Sequence, residues 1–429
     1  MSIPLHARLV DLANLVIAKG SNFLLTLLLF ALLSRGMDSP AFGEFGYWWS
    51  IALMIGGVLL GGLSSALVRV AAVHGSLRHL AVPLRRASVA LLGLALLVTL
   101  ALAVLAPPEH ADLALLLAAV ALFGLAVQGQ TAVLALLRAA EATRANAIAS
   151  VLIVLLVPLA LHLTLGSERA LPWVFFLLAV AFAVGTLVAL VCARRRLGHL
   201  LAPPAGAVPD VAGFLGNASS FTAVNVFSYA VVNVDFTLFR LIGTPADFAL
   251  MATGKVFFER FVVPALMVFA GAVSLRVLRH PRVPGGVAAR IEADVGPRTL
   301  GAMLALIGLL ALAYWVFAHA VRGDATSIAL PWVASAAAGY LLFALNGILF
   351  DVLVVRRSLT AVVAHVGVFL LLACAIQAVA IRSFGVPGWA IGWLLFNAAV
   401  LMVLAREGLR LRMVGWGTRP RDDDERENR

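Results

Sequence analysis

Residues 251–263 read MATGKVFFERFVV and set Lys255, Glu259 and Arg260 within six residues of an otherwise apolar run. Lys255 and Glu259 are one helical turn apart and can neutralise each other. On a regular helix Arg260 points roughly 140° away from Lys255 and needs another partner. The only other lysine of the chain, Lys19, also lies in an apolar stretch. A charge deep in such a stretch costs at least a few kcal/mol and belongs in a bundle interior or a water-filled cavity. Three cations held this way suit an anion that has to be removed from water. Upstream, Asn217, Ser220, Ser228 and Asp235 fall within roughly 80° of one another on a helix, with Asn225 at the margin. Asp235 can pair with Lys255 or Arg260, or bind a coupling cation. Asn14, Asn22 and Thr26 accompany Lys19. Gln128, Gln130, Asn346, His365, Gln377 and Asn397 read as polar residues that pack helices together.

The elements that position these groups are membrane helices. The chain is 62% hydrophobic and 12% charged, and apolar runs of about 20 residues recur along it. Barrel-type alternation is absent, so helices must satisfy the backbone, and the fold class is an all-α polytopic membrane protein. Twelve transmembrane helices are predicted, at 12–34, 46–68, 87–106, 113–137, 147–165, 172–193, 214–241, 248–275, 299–319, 330–355, 360–380 and 388–405. The first is read as a retained helix because no small-residue cleavage site follows it. Twenty-four arginines fall on the side of the connections that holds the N-terminus, against four on the other. Both termini are therefore expected in the cytoplasm, and the net charge of +11 is mostly a topology signal. Nucleic-acid binding is not needed to explain it. The motif RAAEATR, residues 138–144, reads as a solvated helix end at the lipid surface.

The polar interruption near the middle divides the chain. Residues 1–196 form an N-terminal unit of six helices, 197–213 a cytoplasmic linker, 214–405 a C-terminal unit of six, and 406–429 a disordered tail. LLSRGMDSPAFGEFGYW in the first half is echoed by LFRLIGTPADFALMATG in the second, as in transporters built from repeats. Cys192 and Cys374 form neither a disulfide framework nor a metal cluster. No phosphate-cradling GxxxxGK[ST] loop or HExxH occurs, and the short outer connections disfavour an enzyme.

Residues 30–69, with LSRGMDSPAFGEF and the closing GLSSALVR, resemble the start of the polysaccharide-biosynthesis (Wzx-like) flippases of the multidrug/oligosaccharidyl-lipid/polysaccharide exporter superfamily. VDFTLFRLIGTPADFALMATGKVFFERFVVPAL and FGVPGWAIGWLLFNAAV resemble that family's seventh-to-eighth region and its entry to the last span. Leu250 and Met251 replace the usual Tyr, and Trp389 and Trp393 occupy positions that are often small in the family. The resemblance implies a MATE-like arrangement of two six-helix lobes around a central cavity open alternately to each face. It implies a polyprenyl-diphosphate oligosaccharide as cargo, carried from the cytoplasmic to the outer leaflet of the bacterial inner membrane. Membrane lipid, a polysaccharide polymerase and export machinery follow as partners.

Lys19, Lys255 and Arg260 then suit the diphosphate and Asn22 and Asn225 the sugar, while Asp235 and Glu259 act in gating or coupling. No cofactor is expected beyond a coupling proton or sodium ion. Two other readings stay open, a drug or metabolite antiporter of the same superfamily and a membrane glycosyltransferase or polymerase.

Overall fold

A computed structural model describes residues 39–61 apart from side-chain gaps, 111–140, 142–164, 170–200, 211–263, 297–322, 328–356 and 359–410, with scattered residues between 13 and 37 and at 67, 78, 80 and 266. These residues form ten helices: α1 Ser39–Gly56, α2 Ala111–Ala139, α3 Thr143–Thr164, α4 Ala170–Leu200, α5 Val211–Ile242, α6 Pro245–Phe257, α7 Pro297–Arg322, α8 Leu330–Arg356, α9 Leu359–Phe384 and α10 Val386–Arg410. Seven segments among them are long and apolar enough to cross a membrane. Eight of the twelve predicted spans fall on described helices, and 46–68 and 248–275 are described continuously up to residues 61 and 263. The span at 12–34 is described in part, and 87–106 lies outside the described residues.

Two differences from the sequence reading concern helix ends. Helix α4 runs through the arginine triplet to Leu200, past the predicted span end at 193, and α10 runs to Arg410, past 405. Apolar character marks where a helix is in lipid, whereas the backbone bonds continue into the polar interface until a breaker arrives. The second difference is in the predicted span 248–275. Its α-helix stops at Phe257 and passes into a π-helical turn, Phe258–Val262, where Val263 N–H donates to Phe258 O. The 140° offset between Lys255 and Arg260 assumes 3.6 residues per turn, so it does not apply across this wider turn.

The turns follow sequence chemistry. Thr244 caps α6, its Oγ1 accepting from Asp247 N–H at 3.1 Å, with Pro245 at the first helical position. Gly385, at φ 61°, ends α9 in the left-handed conformation and Pro387 opens α10.

Two large apolar cores result, with a small alanine-rich cluster of α2, α3 and α4 around Leu137, Ala149 and Ala189 beside them. One joins α1, α2, α3 and α4, with Phe45 stacked on Phe175 at 5.2 Å and Trp49 against Phe123 at 4.7 Å. Leu25, Leu29 and Leu33, four residues apart, are buried in it. The other joins α5 to α10 around Phe258, Tyr340 and Trp393. Helix backbones meet at glycine: a Cβ on Gly124 of α2 would collide with Ala52 O of α1. On the outside, Val151, Leu155, Leu159 and Leu163 make an exposed stripe along α3. Water would not tolerate such a face, but lipid does.

Candidate functional site

Helices α5 and α6, joined by the two-residue turn at Gly243 and Thr244, pack side by side in the second core. Their facing surfaces carry the charges. Lys255 of α6 is fully buried, as is Asp235 of α5. Lys255 Nζ lies 2.8 Å from Asp235 Oδ1, 3.0 Å from its Oδ2 and 2.6 Å from Glu259 Oε1. It also donates to the Val232 carbonyl at 2.5 Å. Four oxygens from two helices thus surround one ammonium.

Asp235 is held on its other side. Oδ1 accepts Phe236 N–H at 2.8 Å, and Oδ2 accepts Trp389 Nε1–H, also at 2.8 Å. Trp393, one turn along α10, puts its ring 5.6 Å from Lys255 Nζ, and Phe236 lies 5.0 Å away. These rings stabilise the cation and exclude water. Tyr340 of α8 stacks on Phe258 at 5.0 Å, and its hydroxyl and Trp393 Nε1–H are buried with no hydrogen-bond partner among the described residues. Two acids thus share one base among the described residues.

The predicted charges are therefore partly assembled. Both pairings of Lys255 read from sequence, with Glu259 and with Asp235, form at once. Lys19 and Asn22 lie outside the described residues. The backbones of Arg260 and Asn225 are helical, and their side chains lie outside the described residues. Gln128 packs helices as expected, its Nε2 donating to Tyr229 OH at 3.0 Å across the two halves.

Sequence reasoning missed Trp389 and Trp393 as members of the cluster. Their signal is the repeated Gly-Trp in GWAIGW: Gly388 and Gly392 let α10 approach Ala380 and Gln377 of α9, which turns the tryptophans toward α6. A second arrangement was missed near the α5–α6 turn. Arg240 Nη1 lies 2.9 Å from Glu44 Oε2 of α1, and its guanidinium sits 4.4 Å from the Tyr47 ring and 5.6 Å from that of Trp48. Trp48 Nε1–H donates to Glu44 Oε2 at 3.1 Å. Beside it, Gly43 faces Phe248, and Gly46 faces Phe236 and Val256. Helix α1 is thereby clamped to α5 and α6 at this end of the molecule.

Comparison places this arrangement among known folds. No family model matches the chain, and no curated protein matches it in sequence. Among solved structures it is similar to the lipid II flippase MurJ in an inward closed conformation, at TM-score 0.61 and 10% identity over 92% of this chain and 87% of that one. It is also similar to a mutant form of the Vibrio cholerae MATE transporter VcmN, at TM-score 0.59 and 16% identity over 94% and 99%. A MATE structure in complex with Br-NRF gives TM-score 0.56 and 14% identity over 94% and 95%. The chain is a multi-span membrane protein with the same fold as these MurJ and MATE structures.

Proposed function

We propose that this protein is an alternating-access flippase that moves a polyprenyl-diphosphate-linked oligosaccharide from the cytoplasmic to the outer leaflet of a bacterial cytoplasmic membrane. The observation that carries the reading is Lys255, a buried ammonium held by exchangeable carboxylates on two helices. An intramembrane charge of this kind is a functional site by default. Its carboxylate partners occupy the place a diphosphate oxygen would take. When the anion arrives it competes with Asp235 and Glu259 for the ammonium, and Trp393 Nε1–H and the Tyr340 hydroxyl are donors left to meet it. Release of the carboxylates alters the α5–α6 pair, and with it the clamp on α1 that holds the halves together at that end. Such differential binding is what moves a two-state equilibrium. Lys19, Asn22, Asn225 and Arg260 are proposed to complete the contacts to diphosphate and sugar, and the overlap with the MurJ fold supports a lipid-linked cargo. Surface polysaccharide assembly is the process this cargo serves, with the polymerase and export machinery as partners.

A second reading, a cation-coupled antiporter of drugs or metabolites, is favoured by the two carboxylates that share the Lys255 ammonium. There a proton or sodium ion competes with Lys255 for Asp235 or Glu259. One experiment separates the two. The purified protein in nanodiscs is titrated with a short-chain prenyl diphosphate and with the matching prenol, and its thermal stability is followed. The flippase reading expects stabilisation by the diphosphate alone, abolished in Lys255→Met. Equal effects of prenol and diphosphate would overturn it.

A further inference from the structure

A cavity of about 230 Å³ lies between α5, α8, α9 and α10. Its walls are mainly apolar, with Val231, Phe343, Phe350, Phe369, Phe396 and Leu404 among them. Its polar side chains are Ser228 of α5, Asn346 of α8 and Asn397 of α10. Asn346 of α8, only 5% exposed, donates from Nδ2 to Asn397 O at 2.9 Å and reaches Asn397 Oδ1 at 3.4 Å. Asn397 in turn donates from Nδ2 to Trp393 O at 2.9 Å. These bonds fix which way both amides face. The remaining atom, Asn346 Oδ1, is buried and meets no hydrogen-bond donor among the described residues.

A buried acceptor without a donor is unfavourable, so the cavity calls for an occupant that supplies one. A lone water is a poor fit. One water takes up only about 30 Å³ of it, and an apolar cavity of roughly 150 Å³ stays dry while taking a six-carbon ring such as benzene. Scaled by volume, this cavity takes an apolar body of about nine carbons. We infer that it binds a small amphiphile: one hydroxyl or N–H donor, directed at Asn346 Oδ1, on a hydrocarbon body of about that size. The inference does not depend on what the cargo is. It does bear on the charged cluster, because Val232 lines this cavity and its carbonyl accepts Lys255 Nζ. An occupant here presses on the stretch of α5 that holds the ammonium.

Photolabelling of the full-length protein in nanodiscs tests the inference. The probes are a diazirine-bearing octanol and a diazirine-bearing octane of the same length, with labelled residues mapped by mass spectrometry. The alcohol should label peptides of α5, α8 and α10 that line the cavity, and nonan-1-ol should displace it at about fivefold lower bilayer concentration than nonane, the ratio expected for one net hydrogen bond. Asn346→Leu, close in size, should lower alcohol labelling about fivefold and leave alkane labelling unchanged. Absence of cavity labelling would overturn the inference. So would equal displacement of the alcohol by nonanol and nonane in the wild-type protein, a comparison that stands even if the variant fails to fold.

Discussion

Replacing Lys255 by methionine removes the ammonium and keeps most of the side chain's length. Nζ lies within about 3 Å of oxygens from both carboxylates. At an effective dielectric of about 20, each contact represents roughly 5–6 kcal/mol of Coulomb attraction before desolvation is subtracted. The net cost of breaking a buried pair by removing one partner is about 3–5 kcal/mol, because the other charge stays buried and uncompensated. Lys255→Met should therefore lose about that much stability. Adding Asp235→Asn removes one of the stranded carboxylates and keeps an acceptor for Trp389 Nε1–H. The double variant should be more stable than Lys255→Met alone, with a coupling of at least ~2 kcal/mol. Unfolding of the purified protein in mixed micelles with increasing SDS, followed by tryptophan fluorescence, gives all four corners of the cycle. A loss below ~1 kcal/mol for Lys255→Met, or additive losses in the double variant, would refute the reasoning.

Two further outcomes follow from the same geometry. Trp389→Phe keeps an aromatic ring, a smaller one, and removes the indole donation to Asp235, so in the same assay it should cost at least the ~1.5–3 kcal/mol of a hydrogen bond to a charged group; a change within ~0.5 kcal/mol would count against that bond. The Arg240–Glu44 pair is about one-third exposed on both sides and contributes only about 0–1 kcal/mol to stability, yet it joins the two halves. With both native cysteines replaced by alanine, an engineered pair Gly43→Cys and Ala249→Cys should cross-link readily, since a Cβ at position 43 lies 3.4 Å from the Ala249 Cα. Glu44→Gln should slow that cross-linking about two- to fivefold, and unchanged rates would remove the clamp from the account.

The sequence made the helices legible because each span had to be apolar for the length of a bilayer, a requirement that tertiary packing cannot override. It made Lys255–Glu259 legible because both lie on one element at helical spacing, and Asp235 because few acids enter the apolar runs. Trp389 was not legible as a partner, since Asp235 and Trp389 are 154 residues apart and only the close α9–α10 crossing brings them together. Glu44 read as part of a connection, although a carboxylate just before Tyr47 and Trp48 was a usable signal for a cation–π clamp. The π-helical turn after Phe257 left no trace in periodicity, because one wide turn changes the hydrogen-bond ladder and leaves the apolar pattern intact.

In the proposed cycle a lipid-linked anion crosses the bilayer by way of Lys255. The direct measurement uses proteoliposomes loaded on one leaflet with a radiolabelled polyprenyl-diphosphate oligosaccharide, and follows how fast the sugar becomes accessible to a glycosidase on the opposite face. The wild-type protein should expose the sugar well above the rate of protein-free liposomes, and the folded Lys255→Met/Asp235→Asn variant should not. A wild-type rate equal to that of empty liposomes, or a double variant as fast as wild type, would contradict the account.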